Sequence, residues 1–587
     1  MALFVIGGLT LWAIYRFEFH PLRGAGAFPS GHPLAGWRWP LPAPAYWKDF
    51  LSFYGERERY AFLAGRVSFA GWWYYFPFAF LIKTPIPALL LIGRALIVRV
   101  SRGSDRHRVV ALLIPAAVYL LFTLLSPIQI GYRHFIPVLP YLYVLAGKEV
   151  DFRRVGRGLR EKAVLWVRFA WPWAMVVWSA AVALWIHPHY LAYFNEFAGG
   201  PDNGWRYLVD SNIDWGQDLP ALRDVVERRD LGRIKLSYFG STPPSHYDLD
   251  FEPLPTWSET PEQGSPFTRT YYPYDPAPGV YAISATHLQG VVLDPDQWDT
   301  YAWFRDKEPF AKAGYSIFLY RVEPTGPPVD VALSGLQVDE LAPETFSSFG
   351  SNDARLRWFD SRTSLIIPAQ PGWYAVVGAE GAGELEGWGW EAAAPCATVD
   401  GRGCRLYPPD SEAHAAAMGR VGELSAGSQA WHSTDLVPAV TEAPALGDEG
   451  GTVSPLALPV NVGGQVEFLG YEGRVGVGER AVVEVLTAWR VTAPAEGARA
   501  IFVHLLTGEG EVAAQWDGLD VPVEGWRAGD VIVQAASFEV PDGLGAGRYW
   551  LQVGMYDPQT MERLPVLVDG ASIADRILLS PMEVAGR

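Results

Sequence analysis

At 587 residues the chain is too long for one ordinary domain, and its apolar residues, 49% of the total, fall unevenly along it. The formal charge of −17 averages two unlike parts: residues 1–186 hold 21 Lys and Arg against 8 Asp and Glu, which leaves 26 basic and 56 acidic residues for 187–587. That acidic remainder excludes nucleic acid as a partner, because phosphate binding needs a basic face.

Long apolar runs stop near Ile186. Five segments are predicted to cross a bilayer, at about 1–15, 72–98, 109–126, 135–147 and 163–186. A hydrocarbon core takes about 20 apolar residues, so the first and fourth are short. The first begins at Met1 with neither a basic leader nor a small-residue cleavage site, and reads as a membrane helix cut off at its start rather than a signal peptide. The loops SRGSDRHR (101–108) and KEVDFRRVGRGLREK (148–162) are short and basic, which makes them cytoplasmic by the positive-inside rule. Alternation then puts loop 16–71, loop 127–134 and everything after about 187 outside the cell. The expected location is the plasma membrane, multi-pass, with the large C-terminal part extracytoplasmic.

The stretch HPHYLAYFNEFAGGPDNG (187–204) reads as an aromatic collar where the chain leaves the membrane. Beyond it, Leu219, Leu222, Val225 and Val226 recur at helical spacing, and RIKLSYF (233–239), GVYAISA (279–285) and YSIFLYRV (315–322) read as strands. WFRDKEPFAKAG (303–314) is predicted as a helix between two of them. VEPTGPPVD (322–330) is a Pro-rich linker, and 331–450 reads as β-rich and irregular. From 455, short strands such as AVVEVLTAWRV and RYWLQVGMYD alternate with Gly-rich turns, the pattern of an antiparallel sandwich. The expected architecture is therefore a polytopic α-helical membrane region of about five helices (1–190), an extracytoplasmic α/β domain (191–323), an irregular β-rich domain (331–450) and a C-terminal β-sandwich (455–587).

Two cysteines, Cys396 and Cys404, flank VDGRG in a hairpin-like stretch. An oxidising exterior permits a disulfide there; two buried thiols are the other reading, and the residues leave both open. DSNIDWGQD holds Asp210, Asn212, Asp214 and Asp218 and imitates a calcium loop, but Gly216 comes one place late and Ala221 stands where the bidentate glutamate belongs. No metal and no cofactor is assigned. The tryptophans Trp489, Trp516, Trp526 and Trp550 are read as sandwich packing in preference to sugar platforms.

Ionisable groups at membrane depth are functional candidates by default. Arg133 and His134 lie at the outer end of the fourth span, and Lys83 lies within the second, just before Pro85 and Pro87. Those prolines would break the helix and free carbonyls that neighbouring protein must satisfy. A lysine and an arginine around such a break suit an anionic headgroup, since a guanidinium forks onto two phosphate oxygens. Interfacial anchoring is the plainer reading of Arg133 and His134.

The segments GWWYYFPFAFLIKTPIPALL, IGYRHFIPVLPYLYVLAG and HYLAYFNEFAGGPDNGWRYLVDSNIDWGQDL resemble bacterial members of glycosyltransferase family 39, the dolichyl-phosphate-mannose protein mannosyltransferases of the GT-C superfamily, over about residues 50–320. The resemblance implies inverting transfer of a hexose, mannose-like, from a polyprenyl-phosphate donor to an external hydroxyl of a protein or glycan. It implies that Arg133, with His134 beside it, contacts the lipid phosphate. Lys83 and the Trp72, Trp73, Tyr74 and Tyr75 cluster would line the same cavity. Asn195, Glu196, Asp210, Asn212, Asp214 and Asp218 would form an acceptor-side or docking loop. The family also carries an essential acid in its first outer loop. Here that region is missing, and Glu18, Asp49, Glu56 and Glu58 of loop 16–71 correspond to a later loop. The expectation is the C-terminal part of a longer or split enzyme, inactive alone. The rival expectation is a non-catalytic membrane-anchored surface protein presenting a carbohydrate-binding or adhesive sandwich.

Overall fold

The computed structural model describes residues 2–20, 40–47, 60–102, 106–126, 128–150, 159–256, 269–378, 385–391, 394–433, 453–476, 481–495, 497–507, 510–541 and 544–584. Asp49, Glu56 and Glu58 lie outside them. The chain divides into two compact units: Met1–Glu252 with Thr256–Glu259 and Val280–Tyr320, and Pro253–Pro255 with Thr260–Gly279 and Arg321–Arg587.

The first unit corrects the expected polytopic membrane region. Among the described residues one helix, Arg106–Leu125, is long and apolar enough to cross a membrane; a second span exists only if the pair Tyr75–Lys83 and Ile86–Val98, bent by 119°, is counted as one. The predicted first span is the 13-residue helix Ala2–Ile14, and the described apolar part of the last is Ala170–Ile186. The fourth divides into a 3-10 turn, Tyr132–Val138, and a nine-residue helix, Leu139–Gly147. Proline explains both divisions. Pro85 withholds an amide hydrogen and disfavours helical backbone at Thr84, which is extended at ψ 133°. Pro137 lies inside the 3-10 turn, and Pro140 sits in the first turn of the helix that follows, where the missing donor costs nothing. A nine-residue helix reaches about 14 Å, half a hydrocarbon core.

The first unit ends in a five-stranded sheet ordered Phe251–Pro253, Ile234–Ser237, Gly279–Ser284, Ile317–Val322, Ala311–Ala313. Ile234–Ser237 and Gly279–Ser284 run parallel, and the helix Leu219–Arg229 covers one face through Leu219, Leu222 and Val225. The helix predicted over 303–314 is only Ala302–Arg305; Pro309 follows it, and Ala311–Ala313 then pairs as an edge strand with Ile317–Val322.

In the second unit a five-stranded sheet runs Ala354–Trp358, Val329–Ser334, Trp373–Val377, Gly403–Tyr407, Ala394–Ala397. Its first three strands are parallel and its last two antiparallel. Cys396 and Cys404 are directly opposed in that last pair and joined in a disulfide. Two larger sheets form the sandwich. One has seven strands, with Ser364–Ile367 at its edge beside Val531–Glu539. The other has six, and Ala430–Ser433 and Val453–Leu456 join it. Strands from both sides of residue 450 thus share sheets, and one apolar core runs from Ala332 to Val584. Trp489 and Trp550 are buried in the second unit, Trp526 packs into the main core, and Trp516 lies partly buried against it.

Candidate functional site

The helix break is a local consequence of KTPIP, and it leaves carbonyls without intrahelical partners. Asn195 meets them. Its Nδ2 donates to Leu81 O at 2.6 Å and Thr84 O at 2.8 Å, and its backbone N–H donates to Ile82 O at 2.8 Å. Its Oδ1 caps the following turn by accepting from Phe197 N. Glu196, next in sequence, points outward and is exposed.

Lys83 is drawn to the same collar. Its Nζ donates to Leu191 O at 2.7 Å and Asn212 O at 2.6 Å, and it lies 4.2 Å from the centroid of the Phe194 ring. Two of its three protons are therefore committed to protein carbonyls. The expected phosphate-gripping lysine is a tie between the broken helix and the collar.

DSNIDWGQD is where the unit's parts are fastened together. Asn212 accepts from Tyr132 N through Oδ1 at 2.8 Å and donates through Nδ2 to Tyr75 OH at 3.1 Å and Val209 O at 2.9 Å. Ser211 Oγ donates to Ile130 O at 2.5 Å. Gly131 permits that approach, since a Cβ there would lie 2.2 Å from Ser211 Oγ. Asp210, in left-handed backbone at φ 56°, takes its amide to Thr286 Oγ1 at 3.1 Å. Asp218 Oδ2 accepts from Tyr315 N, Ser316 N and Ser316 Oγ, the last at 2.8 Å, while His189 Nδ1 stands 3.6 Å from Oδ1. Gly314 makes room, for its Cβ would lie 2.1 Å from the Asp218 carboxylate. The loop docks sheet, collar and outer turn. Among the described residues no three His, Cys, Asp or Glu side chains gather as a metal site.

Asp214 is fully buried, at 0% exposure, and its two backbone donors are distant: Gly216 N and Thr286 N, each at 3.4 Å. Burial pushes its carboxyl up to about 7, against the pull of those two amides and the Thr286 side chain; neighbouring Asp218 adds to the rise. His287, next to Thr286, is equally buried and shares a 2.9 Å hydrogen bond between Nδ1 and Ser237 Oγ. Burial lowers its pKa to about 3, so it is neutral.

Arg133 differs from all of these. It is exposed, carried on the turn Tyr132–Val138, and its guanidinium lies 5.0 Å from the centroid of the Trp215 ring, which is itself 56% exposed. No carboxylate within ion-pairing distance of it is found among the described residues. His134 follows on the same turn, with its amide on Gly131 O. Of the aromatic cluster, Tyr75 is buried and reaches Asn212, Trp72 exchanges backbone hydrogen bonds with the Gln129 side chain, and Trp73 and Tyr74 are exposed. Sequence reasoning did not single out Trp215, Gln129, Ser211 or Thr286. Trp215 had a signal, since it lies inside the quoted acidic stretch; the others had none beyond ordinary loop chemistry.

Compared with protein-family models, curated proteins and solved structures, the chain matches none.

Proposed function

We propose that the first unit holds the phosphate end of a polyprenyl-phosphate sugar at a membrane surface, as the donor side of a glycosyltransferase. One observation carries this reading: Arg133 is exposed on Trp215 without a carboxylate partner among the described residues, next to apolar helix. The helix Arg106–Leu125 packs against the Arg133 turn, and its Phe122 and Leu125 are among the exposed apolar side chains. A guanidinium in that position forks onto two phosphate oxygens while the polyprenyl chain lies along apolar helix. It would also stabilise the charge that grows on the departing polyprenyl phosphate as the hexose moves to an acceptor hydroxyl. The resemblance to glycosyltransferase family 39 supports the substrate class.

The rival, a non-catalytic membrane-anchored protein that presents the sandwich, is favoured by a different observation. Lys83 spends two donors on carbonyls, and Asp214 and Asp218 are buried, which leaves neither acid of that pair facing an acceptor. Binding of a polyprenyl-phosphate sugar to the detergent-purified chain separates the two. Arg133→Ala should weaken it roughly tenfold or more, the worth of a charge-assisted hydrogen bond pair, with the circular dichroism spectrum unchanged. Equal binding by Arg133→Ala would overturn the phosphate assignment, and no binding by the parent chain would favour the rival.

A further inference from the structure

The second unit has two strands whose outer edges run out of partners beside the same groove. Val466–Gly476 pairs along its whole length with Val482–Val491. On its other side Val460–Val462 reaches only as far as Phe468, and Ser428 Oγ then takes both the N–H and the C=O of Tyr471. From Glu472 to Gly476 no backbone partner meets that side among the described residues. In the other sheet Ile577–Val584 pairs with Gly547–Tyr556 out to Val584, but Ala430 and Trp431 cover only Leu579 and Leu578. Ser580 N then donates to Tyr471 OH at 2.6 Å, and beyond it no backbone partner meets that edge among the described residues. The two open edges flank a groove of about 740 Å³, with the Met582 side chain over Gly473 in it.

Every second residue of an edge strand turns its N–H and C=O away from its neighbour, which is a template for another strand. The groove also has a sign. Glu423, Glu472 and Glu583 line it and form no salt bridge among the described residues, with Arg548 opposite Glu583 in the ladder, whereas Arg474 is committed to Glu484 and Arg420 lies 4.3 Å from the Trp388 ring centroid. A guest strand carrying cations would meet these carboxylates.

We propose that the edge Glu472–Gly476 binds an extended, basic polypeptide segment of a partner protein by strand addition, with its cations on Glu472, Glu583 and Glu423. Main-chain hydrogen bonds supply the attachment and the carboxylates the selectivity. Five residues of guest strand span about 17 Å.

Fluorescence anisotropy with the full chain and a labelled peptide of alternating lysine and valine tests this. The peptide should bind. The same peptide N-methylated along one edge should bind at least ~10-fold more weakly, because its charge is kept and its ladder is lost. Glu472→Lys combined with Glu583→Lys should weaken binding comparably, with thermal unfolding unchanged, and an alternating glutamate and valine peptide should not bind. Equal binding by the N-methylated peptide would reduce the groove to charge attraction and overturn strand addition. Binding that survives the double charge reversal would place the peptide elsewhere, and no binding by the parent peptide would end the proposal.

Discussion

Lys83 in the first unit and Arg357 in the second are both drawn away from water, and their surroundings differ in kind. Lys83 is partly buried and is met by two backbone carbonyls and a ring face. Arg357, 2% exposed, is met by charge. Its Nε and one terminal nitrogen fork onto Asp530 at 2.7 and 2.9 Å, and the other terminal nitrogen reaches Asp330 at 2.7 Å. Asp530 accepts further from Arg527 N and Ala369 N. The arginine network sets one cation between two carboxylates and ties the parallel sheet to the turn before Val531–Glu539. The lysine shell neutralises nothing. It is a fastening of broken helix to the collar carbonyl of Leu191 and the loop carbonyl of Asn212. The buried cation of the second unit is thus held by paired charge, and that of the first by backbone carbonyls, while Arg133 stays exposed on Trp215.

The largest effect is expected where pairing is complete. Arg357→Met should strand the fully buried Asp530 and lower stability by about 3–5 kcal/mol, read from urea unfolding of the second unit; replacing all three charges by apolar residues should recover most of it. A loss under ~1 kcal/mol would mean that the network contributes no more than a surface pair.

Asp214 sharpens the contrast through pH. Its carboxyl titrates at about 7 when folded, against about 4 in an unfolded chain, so the folded chain holds the extra proton. Its contribution is then fullest below pH ~4 and is lost as pH rises through about 7. Asp214→Asn should stabilise the first unit at pH 8 by up to roughly 3 kcal/mol and flatten that slope, measured as the thermal midpoint against pH. His287, held down to about 3, works in the opposite direction: its contribution is present above pH ~6.5 and is lost as pH falls toward 3. An unchanged slope in Asp214→Asn would mean that water reaches the carboxylate.

Asn195→Ala should cost on the order of 2 kcal/mol, because the carbonyls of Leu81 and Thr84 lose their donor at the break. Faster hydrogen exchange confined to the Tyr75–Lys83 segment is the expected signature. The smallest stability effect belongs to Arg133→Ala, within about 0.5 kcal/mol, since the side chain is exposed and stacked on one ring. A larger loss would make Arg133 a fastening like Lys83.

Chain stereochemistry made some features legible in the sequence. Pro85 and Pro87 announced a broken helix, GVYAISA is the strand Gly279–Ser284, and the Cys396–Cys404 hairpin closes as spacing allowed. The number of membrane-length helices was not legible, because apolar composition counts residues and cannot see that Pro137 tightens Tyr132–Val138 into a 3-10 turn. Nor was the shared core of the second unit: Ser364–Ile367 looks like any short apolar strand, and its partner Val531–Glu539 lies far along the chain. The pattern of residues within one or two turns decided where elements begin, break and cap, because that information is carried by backbone dihedrals and side-chain spacing. Only the tertiary structure decided that Lys83 answers carbonyls 108 and 129 residues away, that Asn195 closes the break, and that Arg133 stays exposed on Trp215. Those outcomes depend on which donors arrive within 3 Å of which acceptors, and local periodicity carries no record of that.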